Sequence, residues 1–431
     1  MRELMINSAL THSMLLVLPI LCALLLRWAR CPGWSVVGGV AAGLVLGPGI
    51  LGAVMPVEYE RMFIGGVEER EAVDQIERRM EQDRAVLLEK GATPGEITAH
   101  LDEQFGDEHR ARQAALEEAR WSFQRPFRSY TSAVIALTLL GAGLVRINSG
   151  DRRQGAVTPV SIGLWSALLP GGLAFSMMLW FWADTVSHAV LAGAAVAIGP
   201  WVLRGIDRRA ADEAEFGGAR MLQFAGRIAS VIAIIAAVWA LSEQRAWAGF
   251  MWCAPLLALP VGWMFPGLRS RLPASRRADD EQTARTEPPR PTLPFIDTIV
   301  RNLLDIALVP SLAACATLRI NPFLEFAFWP FLAFVLLSGD ARWLGAFLGA
   351  MLPGGRRGLR TMRLVLGSMA CGPTQLAITA LASHQWALSG PILFALICGA
   401  VIIEVTAPLR RSLSRRLIET EAELDELRGE D

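Results

Sequence analysis

The chain has 431 residues, 53% of them hydrophobic and 19% charged, and its 41 basic residues balance its 41 acidic ones. Soluble proteins carry about 25% charge, so the composition points away from a soluble protein, and a formal net charge of zero removes any global attraction to nucleic acid. The six cysteines (Cys22, Cys31, Cys253, Cys315, Cys371, Cys398) form no CxxC pair and the five histidines are dispersed, so neither a disulfide framework nor a metal centre is expected, and no cofactor.

Apolar runs of about 20 residues are long enough to cross a bilayer. Residues 1–56 hold the first two, at roughly 8–27 and 34–55. The first is too long for a cleavable signal, and its arginines follow it rather than precede it. Residues 57–127 are acidic and helical in character. Positions 67–90 run without Gly or Pro, GATPG at 91–95 breaks the run, and Thr93 with Pro94 predicts an N-cap and first helical position for a second helix extending toward Trp121. Either a solvated spacer or a dimerisation and docking module fits this insertion. Residues 128–267 supply five further spans, at about 129–147, 158–182, 185–204, 221–241 and 246–266. Residues 268–294, rich in Arg, Asp, Glu and Pro, read as a disordered linker. Residues 295–410 complete the set at about 298–318, 323–338, 361–383 and 388–408, and 411–431 form a charged tail.

About eleven spans result, so the fold class is all-α and polytopic. Arginines crowd into alternate loops: Arg27 and Arg30; Arg146, Arg152 and Arg153; Arg204, Arg208, Arg209 and Arg220; Arg269, Arg271, Arg276 and Arg277; Arg356, Arg357, Arg360 and Arg363; then Arg410, Arg411, Arg415 and Arg416. The positive-inside rule places those loops in the cytoplasm. The expectation is a multi-pass protein of the cell inner membrane, its N-terminus outside, its C-terminus cytoplasmic and residues 57–127 extracytoplasmic.

The second span carries Gly39, Gly43, Gly47 and Pro48 in GVAAGLVLGPGILG. Glycines four apart line one helix face and let another helix pack closely. The GPxxLG extension resembles the opening signature of the monovalent cation/proton antiporter superfamily, the sodium/proton and Kef-type exchangers. Further likenesses follow in family order. LLGAGLVR ending at Arg146 resembles "FxxGLELD", with Arg146 and Asn148 near positions that are often acidic. AIGPWVLR around Gly199 and Pro200 resembles "TSPAVVLR", and LVPSLAACATLRIN from Leu308 resembles "FVPLFFVLVGLRLD". RWLGA from Arg342 resembles "KLLGA", GPTQLAI around Gln375 resembles "RGELALVI", and VIIEVTAPL around Glu404 resembles "VLVTTLLAPLL". The resemblance covers most of the chain outside 57–127 and 268–294. It implies an antiporter-type core of crossed broken helices beside a scaffold bundle, a homodimer in the lipid bilayer, and exchange of sodium or potassium for protons. The helices holding Gly199–Pro200 and Arg342 are expected to be interrupted at mid-membrane and to approach one another.

Such exchange needs a buried carboxylate that takes a proton or a cation but not both. In the family it lies in the middle of the sixth span, here at Ala229 and Ser230, where no carboxylate occurs between Glu215 and Glu243. Ser230 offers a hydroxyl for coordination or for its own helix. Arg342 stands where the family has lysine, in the core or at the cytoplasmic boundary. Glu404 is a replacement acid or an interface residue near Arg410, and Arg301 and Asp305 have ion-pair spacing. The ion-pathway candidates are thus Gly199, Pro200, Ala229, Ser230, Arg342, Gln375 and Glu404. Without GxSxG, HExxH or a P-loop the chain is not expected to be an enzyme. Besides antiport, two readings stay open: a transport-inactive sensor or scaffold, and a passive cation pathway.

Overall fold

A computed structural model describes residues 2–144, 157–182, 185–197, 217–261, 294–352, 373–384 and 387–410, with isolated positions at 362, 365–366, 412–413, 416–417 and 419–420. Gly199, Pro200, Arg146, Asn148, the linker 268–294 apart from its last residue, and most of the tail 411–431 lie outside the described residues. Every described element is helical. Among the described residues six helices are long and apolar enough to cross a membrane: Thr11–Trp28, Trp34–Val54, Thr158–Phe181, Phe224–Leu241, Ile299–Thr317 and Phe328–Met351. Two shorter apolar helices, Val186–Val196 and Gly390–Val405, join them. The protein is therefore membrane-embedded and all-helical.

The chain divides into two compact units, one built from residues 1–14 and 45–130, the other from 15–44 and 131 onward. Helix α1 (Arg2–Trp28), α2 (Trp34–Leu46) and α6 (Pro94–Leu144) each contribute to both. The first unit is wider than the insertion 57–127 read from composition.

In the first unit, α2 gives way at 47–50 to a turn, and α3 (Leu51–Val54) and α4 (Pro56–Tyr59) follow, the latter running into a π-turn at Glu60–Ile64. The second expected span stands as Trp34–Val54 with a turn inside it, because Pro48 brings no N–H to the helical ladder and glycines flank it. Gly65 and Gly66 both adopt φ +74°, and a side chain at Gly65 would collide with the Phe123 ring. This turn starts α5 (Val67–Glu89), which buries only Val73 and Ile76, the rest of it facing outward. Ile97, Leu101 and Leu116 of α6 are buried as well, and the Tyr59 and Phe63 rings lie 5.7 Å apart, tilted by 37°. Arg70 pairs with Glu60, and His109 Nε2 lies 3.4 Å from Glu77 Oε1.

The break at 91–95 falls where the sequence places it. Gly91 has φ +76°, and Thr93 caps α6. Thr93 donates its N–H and its hydroxyl to Glu96 Oε2, each at 2.9 Å, and Thr93 Oγ1 accepts from the Glu96 N–H at 3.5 Å. This reciprocal arrangement satisfies two otherwise orphaned groups of the first turn. The Thr93 backbone N–H, and after it the Thr93 hydroxyl, hold the Glu96 carboxyl below the usual carboxylate range. A depressed carboxyl stabilises the fold above its unfolded value of about 4.3, and that contribution is lost as pH falls through the lower folded value. Amide exchange over 95–98, corrected for intrinsic rates, should therefore quicken on acidification, and the Glu96→Gln variant should lose that pH dependence. An unchanged profile in the variant would rule the cap out as the cause.

Helix α6 does not stop near Trp121. It runs 51 residues, through Pro126, to Leu144, so the third expected span is its final part. Similarly, α9 (Gly217–Cys253) is one 37-residue helix that carries the sixth expected span into the start of the seventh. Residues 242–248 contain no Gly or Pro, so charge alone did not end it.

The second unit contains α7 (Val157–Phe181), α8 (Val186–Val196), α9, α10 (Pro294–Leu303), a π-turn at Leu304–Leu308, α11 (Val309–Thr317), α12 (Phe328–Leu336), a π-turn at Leu337–Ala341, α13 (Arg342–Met351), α14 (Pro373–His384) and α15 (Gly390–Val405). Helix α7 packs on α8, α9 and α13, while α11 packs on α14 and α12 on α15. Small residues set these approaches: a Cβ on Gly163 would meet Ala225 at 2.6 Å, and one on Gly171 would meet Ala197 at 2.5 Å. Gly43 of α2 lies against the backbone of Ala314 in α11.

Candidate functional site

Helix α8 begins at the N-cap Thr185, whose side chain accepts from the His188 N–H, and ends at Val196. Eleven residues rise about 16 Å, roughly half of a ~30 Å hydrocarbon layer. Ser187, Ala189 and all residues 191–196 are buried. A helix C-terminus exposes carbonyls and partial negative charge, and inside an apolar body these need a donor. Arg342 is that donor. Its side chain is 0% exposed, and Nη2 donates to the Val196 carbonyl at 2.7 Å.

The position of Arg342 follows from its own helix. The ninth expected span stopped at 338, which left Arg342 either in the core or at the cytoplasmic boundary. The structure carries the apolar helix on to Met351 through the Leu337–Ala341 π-turn, so Arg342 sits inside the span. Gly345 and Gly349 bring α13 against the backbone of Trp165 and Ser161 in α7. That close packing leaves the guanidinium within the protein. Nη2 is satisfied by Val196, whereas Nε and Nη1 have no hydrogen-bond partner among the described residues.

On α9, Ala229 and Ser230 are both buried. Ser230 Oγ donates to the Gly226 carbonyl of its own helix at 2.8 Å, as serines in apolar helices commonly do. Arg227, three residues earlier, is buried as well. Gln375 is fully buried and its Nε2 donates to the Leu396 carbonyl at 3.0 Å, tying α14 to α15. Glu404 is buried in the last turn of α15, where the backbone of Gly33 comes up against it: a Cβ on Gly33 would lie 3.2 Å from the Glu404 Cβ. Just beyond, Arg410 Nη2 donates to the Ile403 carbonyl at 2.5 Å.

The structure thus brings Arg342 to the end of α8 and sets Gln375 and Glu404 on a different helix pair. A polar group that the dispersed histidines gave no reason to expect appears where α14 ends. There His384 is buried, with Nε2 3.2 Å from Thr131 Oγ1, while Arg319 Nη1 donates to the His384 carbonyl at 3.3 Å. Only the place of His384 at the end of an apolar run could have signalled it. No group of three or more His, Cys, Asp or Glu side chains suited to a metal occurs among the described residues. No protein-family model matches the chain, and no curated protein is significantly similar to it.

Proposed function

We propose that this chain is a membrane transport protein built on the monovalent cation/proton antiporter plan, in which conventional exchange at Ala229 and Ser230 has been lost. The observation that carries the reading is the short helix α8, ending at Val196 with a buried arginine on its last carbonyl. A short apolar helix whose last carbonyl meets a buried cation supports a discontinuous helix of the kind that lines a transport site near the membrane midplane. Contacts within the second unit also fit spans that alternate in direction. Thr131, Arg319 and His384 come together where spans begin or end on the outer side, and Ser35 donates to the Asp305 carbonyl at 2.7 Å on the inner side. The inner-membrane location, the external N-terminus, the count of about eleven spans and the homodimer belong to the same proposal.

Among the described residues Glu404 is the one buried carboxylate, so it is the acid on which any residual proton coupling depends. Protein reconstituted in liposomes is expected to move protons against sodium or potassium only weakly, and Glu404→Gln should remove what remains. Fast exchange that survives Glu404→Gln overturns the missing-acid part of the reading. If no ion moves at all, the transport reading falls and the rival stands: a sensor or scaffold acting through α5 and the first part of α6, whose exposed polar faces suit a docking role.

A further inference from the structure

We propose that Arg342 holds a monovalent anion at the buried end of α8. Burying a guanidinium is costly unless its charge is paired and its donors are satisfied. Arg342 is 0% exposed, yet Nε and Nη1, which between them carry three N–H bonds, find no acceptor among the described residues. The single bond from Nη2 goes to a neutral carbonyl, Val196, at 2.7 Å. The partial negative charge of the α8 C-terminus offsets only part of a full positive charge.

Among the described residues no acidic side chain is bonded to Arg342. Among the described residues the buried arginine, lysine, aspartate and glutamate side chains are Arg227, Arg342, Arg410 and Glu404, three basic to one acidic. Glu404 lies at the Gly33 end of α15, beside Arg410, which donates to Ile403, so the charged side chain found at the α8 end among the described residues is Arg342. Like charge repels a cation strongly where water is scarce. One guanidinium is neutralised by one negative charge, so a halide or a small carboxylate fits, whereas phosphate or sulfate would leave net negative charge in the apolar interior. This inference rests on the burial of Arg342 and on its Nε and Nη1, unbonded among the described residues, and not on the antiporter plan.

The test is thermal unfolding of the full-length protein in detergent, with sodium chloride replacing sodium gluconate at constant sodium and ionic strength. A saturable rise in Tm with chloride is expected. Acetate titrated the same way separates a carboxylate preference from a halide one, and either response supports the site. Exchanging potassium for sodium at fixed chloride should leave Tm unchanged. Arg342→Gln should abolish the chloride response, while Arg342→Lys, which keeps the charge, should retain part of it. A Tm indifferent to the anion in the wild-type protein overturns the proposal even where the variants fail to fold, as does a chloride response that survives in Arg342→Gln. Cation-driven proton flux measured in gluconate is a separate readout, so loss of the anion site and loss of the transport reading give different results.

Discussion

Replacing Gly43 with valine is expected to prevent stable folding of the second unit. A Cβ at this position would stand 2.6 Å from the Ala314 carbonyl oxygen and 2.9 Å from the Ala314 Cα, and it would overlap Thr317 Oγ1. The Thr317 hydroxyl cannot yield easily, because it already donates into its own helix toward the Ala313 and Ala314 carbonyls at 2.9 and 3.2 Å. Relief therefore requires α2 and α11 to move apart. Overpacking where side chains can adjust costs about 1–3 kcal/mol, and a clash with backbone exceeds that range. Gly39→Val should behave alike, since a Cβ there would lie 2.7 Å from the Pro310 Cα and 2.8 Å from the Ala313 Cβ. Gly172 in α7 is the control. Nothing lies within 4 Å of its would-be Cβ, so Gly172→Ala should be neutral or gain about 0.5–1 kcal/mol from the helical backbone. Yield of monodisperse protein and Tm read all three. A Gly43→Val protein with an unchanged Tm would show that α2 does not pack on α11 as described.

Those glycines were readable in advance, because a four-residue spacing has one geometric meaning on a helix: two backbones come close on that face. The break at 91–95 was readable for a comparable reason, since Gly91 takes a positive φ and Thr93, Pro94 and Glu96 each fill a defined place in a helix start. Helix ends marked only by charge were not. Arg342 read equally as a core residue or a boundary residue, and what places it in the core is the carbonyl end of α8, a partner 146 residues away in sequence. The run after Leu241 and the passage through Pro126 misled in the opposite direction. Helix continues wherever no residue there forces a turn, and one proline is tolerated when the rest of the helix holds. The roles of Gln375 and Glu404 were equally hidden. Both sit in apolar runs, and such a pattern does not say that Gln375 ties α14 to α15 or that Gly33 comes up beside Glu404.

Ser230 tests whether the core still has the antiporter form. Ser230→Ala is expected to be mild, about 1 kcal/mol or less, because the hydroxyl serves mainly its own turn through Gly226. Ser230→Asp is expected to act far more strongly. It places a carboxylate at a fully buried position, where an unpaired charge costs several kcal/mol, so the fold survives only with a proton, a cation or a guanidinium partner. Helix α9 packs on α8, and α8 ends on Arg342, which makes that guanidinium the partner to expect. Sodium-dependent proton exchange should then appear in liposomes and strengthen as pH rises, because the proton must leave before the cation enters. Ala229→Asp, one position away and also buried, checks the register of the face. A carboxylate that reaches Arg342 also takes up its free donors, so the chloride-dependent rise in Tm should vanish in whichever variant gains exchange. A folded Ser230→Asp protein that keeps the full chloride response and exchanges no cation at any pH would sink the antiporter plan while leaving the anion site intact.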